Sequence, residues 1–483
     1  MRSIKYIKEI ILVCVIATNV AGAEQYSAKL RYDSPIHYRP KVGSVADTIP
    51  FFRESRYGKY HIIYLRAGVG HVPWEHIVSN DLIHWDELPS AILPDGALDG
   101  PDGGDIGTGS VIEHDGTFHI FSTGINPRNK RGEQCIMHAT SSDLVTWTKH
   151  PDHTFYADDI TYKNAGFRDP YVFWNEEAKA FWMIFCAVDA KSGQWTQGVA
   201  ESGDLVTWKQ TEPLVYDPPA TVAPECPDLF KIGDTWYLIY SVWYPKQKTG
   251  TTDVRFSKEI RGPYRPSPTP AIDTPLFYAA KRMFDGKRHV ITGWIRDLGG
   301  SKDDGEPQFG GDQCMPREVY AGPNGQLYFR PVPEAVALFD HVVFSSAKNP
   351  ALNKLPSSIA TPDNYLFECK VQLEPGAEFA VAMRCSEKDN DSGYRLILRP
   401  RKQEAEIASS KFSHPRKVDI DYTKPVKIQA FVQGSIIECY LQDEYAFSCR
   451  TYDCRAGKLK MSVTGGGAKV TDISVKTHEA LDR

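Results

Sequence analysis

A seven-residue phrase that occurs three times in this chain limits its fold more than any other feature. "SNDLIHW" at 79–85 recurs as "SSDLVTW" at 141–147 and "SGDLVTW" at 202–208, so Asp81, Asp143 and Asp204 stand 62 and 61 residues apart. A fixed period of that size marks one structural unit per copy. A second recurrence counts the units. A turn followed by an aromatic-rich alternating strand occurs at 58–65, 116–122, 178–186, 233–240 and 286–294. Such runs, bounded by Gly, Asp and Asn and free of long 3.6-residue periodicity, read as strands, and no helix is needed among them. Five units of 50–65 residues, each long enough for about four short strands, predict an all-β chain whose first part is a five-bladed β-propeller, assigned to 24–340.

The repeat stops after "FRPVPEAV" at 329–336. Residues 341–356, polar and containing Asn349-Pro350 and Pro356, read as a linker. Alternation then returns through Phe367, Cys369, Val371 and Leu373, through Tyr394, Leu396 and Leu398, and through Val426, Ile428, Ala430 and Val432. One-sided burial in several antiparallel strands predicts a β-sandwich over 357–483, read as structural support.

Residues 1–23 read as a signal peptide: Arg2, Lys5 and Lys8 precede an apolar run that ends before Ala21-Gly22-Ala23. That run is too short to span a bilayer of about 30 Å. The expected location is therefore secreted, extracellular or periplasmic. The formal net charge of −5 becomes −7 without this segment, which carries three bases and one acid. A mildly acidic surface argues against nucleic-acid and anionic-membrane partners. Nine of the ten cysteines follow the segment, an odd number with no Cys-x-x-Cys spacing, so no zinc site is expected.

Propeller chemistry sits in the central channel, lined by the first strand of each blade. Asp47, Asp169 and Glu225 lie 13, 12 and 11 residues before the aromatic strand residues Tyr60, Phe181 and Trp236, in blades one, three and four. A shared phase predicts that the three carboxylates converge at one mouth of the channel. Their settings, "ADTIPFF", "GFRDPYVF" and "APECPDLF", are apolar, where an ionised carboxylate needs a partner or takes a shifted pKa. A carboxylate and a carboxylic acid are what glycoside hydrolysis requires, and a third acid can hold sugar hydroxyls. A metal site is the competing use of three carboxylates, but no histidine joins them at ligand spacing; neither metal nor cofactor is expected.

"FRDP" at 167–170, "ECPDLF" at 225–230, "WEHIVSNDLIHW" from Trp74, "FYAAKRMFDGKRHVITGW" from Phe277 and "MPREVY" from Met315 together resemble glycoside hydrolase family 32, the invertases, inulinases and levanases. The resemblance runs from about residue 30 to 480 and implies a propeller followed by a sandwich. It implies a retaining enzyme cleaving terminal β-fructofuranosyl linkages of sucrose or fructans, with an oligo- or polysaccharide as its partner. On it, Asp47 is the nucleophile, Glu225 the acid/base and Asp169 the stabiliser of the transition state. Arg168 orients the acids and Cys226 packs behind Glu225, although Cys226 also reads as a small buried hydrophobe. Thr108 and Ser110 of "GTGS" are candidate substrate contacts, and Trp74 and Trp294 candidate stacking platforms or core residues. Ala46 and Thr48-Ile49-Pro50 depart from the family's Asn before the nucleophile and Pro-Asn-Gly after it, nearer to the levansucrase family 68, and Gly107 replaces an expected phenylalanine. An inverting family 43-like enzyme, a fructosyltransferase and a catalytically silent sugar-binding propeller remain alternatives.

Overall fold

The computed structural model describes residues 36–95, 97–346, 357–386 and 392–478; the expected signal peptide lies outside them. Four blades are four-stranded antiparallel meanders in chain order. Blade one runs Ser44–Phe52, Tyr60–Ala67, Trp74–Ser79 and Asp86–Ile92. Blades two, three and four begin with Asp105–His114, Arg168–Asn175 and Glu225–Ile232. Blade five holds Phe277–Phe284, His289–Leu298, Arg317–Ala321 and Leu327–Pro331. An extra strand, Pro307–Gln313, pairs with both His289–Leu298 and Ser44–Phe52 and so joins blade five to blade one in a single sheet. Each blade's first strand contacts the next, and the fifth contacts the first, so the five form a ring around the channel.

The repeated phrase is a corner between the third and fourth strands. In blade one the Ser79 hydroxyl accepts the Asp81 and Leu82 N–H groups, while Asp81 Oδ1 accepts those of Ile83 and His84. Ser141 with Asp143, and Ser202 with Asp204, repeat the arrangement. Leu82, Leu144 and Leu205 follow with φ of 67°, 67° and 62°. That left-handed backbone costs a leucine about 1–2 kcal/mol. The side-chain caps and complete burial of the leucines offset it.

A backbone irregularity at the start of every first strand matters more for the channel. Pairing skips after Ala46, Gly107, Arg168, Glu225 and Tyr278, leaving extra residues on the inner strand. These are β-bulges, which re-aim side chains. Asp47, Asp169, Cys226 and Ala279 occupy the bulge with φ of 36°, 61°, 51° and 49°. Glu225 therefore corresponds to Arg168 and Tyr278 and not to the two aspartates. The expected common phase of the three acids is off by one residue, because spacing alone does not reveal where an inner strand bulges.

The C-terminal part is a sandwich of two six-stranded sheets. Phe367, Val371, Val381, Leu396, Ile428 and Val475 fill the space between them. Its first strand is His341–Ser346, which pairs with Ala468–Thr477. The expected linker boundary at 341 is thus too early; this half-exposed edge strand buries little, so its sequence shows no alternation. Residues 347–356 lie outside the described ones. On the outer face of the same sheet, Leu366, Phe431, Ile436 and Tyr440 share one apolar cluster with Phe277, Met315 and Phe329 of the propeller.

Candidate active site

The channel mouth opens into a cavity of ≈ 480 Å³ whose wall includes Asp47, Thr108, Arg168, Asp169, Glu225 and Cys226. Asp47 and Asp169 are buried, 9% and 5% exposed, whereas the Glu225 side chain is 27% exposed. The bulges set this order: Asp47 and Asp169 sit on the inserted residues, and Glu225 stands one position nearer the mouth.

Asp47 Oδ1 accepts the Trp294 Nε1–H at 3.3 Å. Burial first, then the charges of Asp169 and Glu225, push the Asp47 carboxyl up to about 7, against the opposing pull of Trp294 and the Lys281 ammonium. Burial also raises Asp169, opposed by Arg168 and by the Cys226 backbone N–H, which donates to Asp169 Oδ2 at 2.9 Å. The Asp169 N–H itself donates to Thr123 Oγ1, which donates to the Thr108 carbonyl, tying blade three to blade two. Glu225 is held at both oxygens: Arg168 Nη2 donates to Oε1 at 2.9 Å and the Tyr278 hydroxyl to Oε2 at 2.6 Å. The cations Arg168, Lys281 and Arg296 balance the three acids, with Lys281 buried and donating to the Pro227 carbonyl.

Several expected contacts lie elsewhere. Trp74 is fully buried, with its indole N–H on the Gly107 carbonyl, behind the cavity wall. Trp294 is also fully buried and serves Asp47 as a donor, so neither ring presents a face to a sugar. The Ser110 hydroxyl accepts the Val172 N–H and links blades two and three away from the cavity. Thr108 does reach the cavity, and its buried Oγ1 has no partner in the structure. Cys226 serves Asp169 Oδ2 with both its backbone N–H, at 2.9 Å, and its thiol, at 3.8 Å, and burial pushes that thiol up, keeping its proton on.

Sequence reasoning missed Tyr278, Arg296, Trp243 and Phe309, which also line the cavity. Arg296 stacks on Trp243, Tyr278 and Trp294, with its guanidinium carbon 4.5, 4.1 and 4.8 Å from the ring centroids. Trp243 is half-buried and Phe309 is exposed at the rim, so these two rings are the ones available for stacking. Tyr278 had a legible signal, since it occupies the blade-five counterpart of Glu225. Among the described residues, no group of three His, Cys, Asp or Glu side chains is arranged to hold a metal ion.

Residues 37–331 match the Glycosyl hydrolases family 32 N-terminal domain. The chain belongs to glycosyl hydrolase family 32. This family 32 chain is 27% identical over 356 residues to an insoluble β-fructofuranosidase isoenzyme of Arabidopsis thaliana, covering 66% of this chain and 60% of that one. It is 25% identical over 453 residues to a raffinose invertase of Escherichia coli, covering 86% and 89%. The structure of a sucrose-6-phosphate hydrolase from Lactobacillus gasseri superposes with a TM-score of 0.74 at 19% identity over 96% and 97% of the two chains. At that identity the likeness speaks to the fold, a propeller followed by a sandwich. No helix among the described residues is long and apolar enough to cross a membrane.

Proposed function

We propose that this family 32 chain is a retaining β-fructofuranosidase that releases terminal fructosyl units from sucrose or fructans. The observation that carries this reading is the convergence of Asp47, Asp169 and Glu225 on one cavity, with the two aspartates at its base and Glu225 nearer the mouth. The relatives named as a β-fructofuranosidase and a raffinose invertase support the same substrate class.

In this mechanism the Asp47 carboxylate attacks the anomeric carbon while Glu225 gives its proton to the departing glycosidic oxygen. The result is a fructosyl ester on Asp47 and a free alcohol. Glu225, now a carboxylate, takes a proton from water, whose oxygen attacks the same carbon and releases Asp47. The productive arrangement has Asp47 ionised and the proton on Glu225, which Trp294 and Lys281 favour by stabilising charge on Asp47. Asp169, fixed by Arg168 and the Cys226 N–H, grips ring hydroxyls as positive charge develops on the sugar. Trp243 and Phe309 would flank the leaving group. Residues 1–23 would direct the chain out of the cytoplasm.

The test is a panel of sucrose, raffinose, inulin, levan and arabinofuranosyl substrates, with NMR of the first-formed anomer. Release of fructose with retained configuration is expected. Inversion, or cleavage of arabinofuranosides alone, overturns the assignment, and transfer to sugar acceptors in preference to water favours a fructosyltransferase.

A further inference from the structure

The sandwich contributes one side chain whose bonds run directly to two of the three strands that form the fifth-blade wall of the cavity. Arg450, on the strand Tyr445–Arg450, is fully buried. Its Nε donates to the Arg296 carbonyl at 2.9 Å and its Nη2 to the Ile295 carbonyl at 2.6 Å. Nη2 also meets Asp297 Oδ1 at 3.0 Å, and Nη1 meets Asp312 Oδ2 at 2.6 Å and the Ser435 hydroxyl at 3.0 Å. The guanidinium thus donates three hydrogen bonds and faces two carboxylates at once, which takes the fixed fork that lysine lacks.

The residues so held are the neighbours of the catalytic machinery. Ile295 and Arg296 follow Trp294, the donor to Asp47. The Arg296 side chain lies on Tyr278, the donor to Glu225. Asp312 belongs to the strand Pro307–Gln313, which brings Phe309 to the rim and pairs with both blade five and blade one. There is no slack in this packing: a β-carbon on Gly311 would sit 1.9 Å from the Ile295 carbonyl oxygen and 2.9 Å from Arg450 Nη2.

We propose that Arg450 is a positioning residue for the active site: from the sandwich it fixes the strand carrying Trp294 and Arg296, and through them the placement of Asp47 and Glu225. The proposal rests on the function proposed above for its kinetic readout. A rigid arginine clamp on a strand one residue from a nucleophile's donor acts through geometry, and displacements near 1 Å at a reacting centre cost about 100-fold in rate.

The test compares Arg450→Lys, which keeps the charge and loses the fork, with Arg317→Lys. Arg317 anchors a different cluster at the same interface, through Asp273 and Glu438 at 2.6 and 2.9 Å. Both variants should lose stability. Only Arg450→Lys should lower kcat on sucrose, by about 10- to 100-fold with KM little changed. It should also move the acid limb of the rate profile to higher pH, because a looser Trp294 bond leaves the Asp47 charge less stabilised. The same displacement is read without substrate, from how the stability gained by Asp47→Asn depends on pH in each background. Unchanged kcat and Asp47 titration in Arg450→Lys, or equal changes in Arg317→Lys, overturn the proposal. Should Arg450→Lys fail to fold, Asp312→Asn replaces it and must give the same shift in smaller measure; no shift there overturns the proposal as well. A wild-type protein inert on every fructoside defeats the functional reading, while the Asp47 titration still judges the clamp.

Discussion

Asp47→Asn should make this protein more stable, and by an amount that grows with pH. In the folded chain the Asp47 carboxyl titrates near 7, against an ordinary value of 3.8. Between those values the native state holds a proton that the unfolded chain releases, so the contribution of Asp47 to stability falls as pH rises through that window. At about 1.4 kcal/mol per pH unit, the accumulated loss at pH 8 is about 4 kcal/mol relative to pH 4. Asparagine keeps the shape and can still accept the Trp294 N–H, but carries no charge at any pH. Near pH 4 the two proteins should therefore differ little, and near pH 8 the variant should be the more stable by several kcal/mol. Urea unfolding of both proteins across pH 4–8 measures the gap, and effects common to both cancel. A gap that stays flat, or that narrows above pH 6, would falsify the account of Asp47 as a buried carboxyl strained by Asp169 and Glu225. The same substitution should reduce fructoside hydrolysis by several orders of magnitude, placing stability and activity in direct opposition at one residue.

Glu225→Gln should lower kcat on sucrose by about 10²- to 10⁴-fold while substrate binding, followed by calorimetry, is largely kept. Trp243→Ala should raise KM by about tenfold with kcat within about twofold, because a rim ring holds ground state and transition state alike. Asp143→Ala should cost about 1–2 kcal/mol in unfolding, by orphaning the Val145 and Thr146 N–H groups, and leave steady-state rates intact. The contact pair His61 and His76, 3.0 Å apart, and the buried His138 are held neutral by burial, at about 4, 3 and 3. Their folded values lie below the ordinary 6.5, so stability present above that pH is lost as pH falls towards 4. His138→Gln should flatten the acid side of the stability profile measured by thermal unfolding.

The blade count was legible because each blade repeats the same covalent devices: a serine–aspartate corner and an aromatic second strand. Both are local, so their chemistry is written in adjacent residues. The carboxylates were legible for a related reason, since acids set among proline and aromatic residues stand out. What local patterning did not reveal was the bulge, which displaces Glu225 by one residue from Asp47 and Asp169 and thereby separates a half-exposed acid from two buried ones. The sequence left Trp74 and Trp294 open between stacking platform and core, because an indole looks alike whether its face meets a sugar or its N–H meets Asp47, and the structure places both in the core. Arg296 and Phe309 escaped notice because their positions depend on Pro307–Gln313 bridging the last blade to the first, a pairing across more than 250 residues. Arg450 was hidden likewise, by bonds that span 154 and 155 residues.

The bulges at the head of the five inner strands carry an implication for how such a site can change. Each lifts one or two residues out of the hydrogen-bonded ladder at the channel mouth, while the remainder of its blade keeps its register. A propeller of this kind therefore offers a turret of mounting points, one pair per blade, each held by the strand behind it. Here the pairs are Ala46 with Asp47, Gly107 with Thr108, Arg168 with Asp169, Glu225 with Cys226, and Tyr278 with Ala279. Three of these ten posts bear carboxylates, one a guanidinium and one a phenol, while Ala46, Gly107 and Ala279 carry small side chains or none. Of the small occupants, Ala46 is fully buried in the core, and a β-carbon on Gly107, which lines the cavity, would stand 3.1 Å from the Thr123 side chain, so a graft there would have to displace the residue that receives the Asp169 N–H.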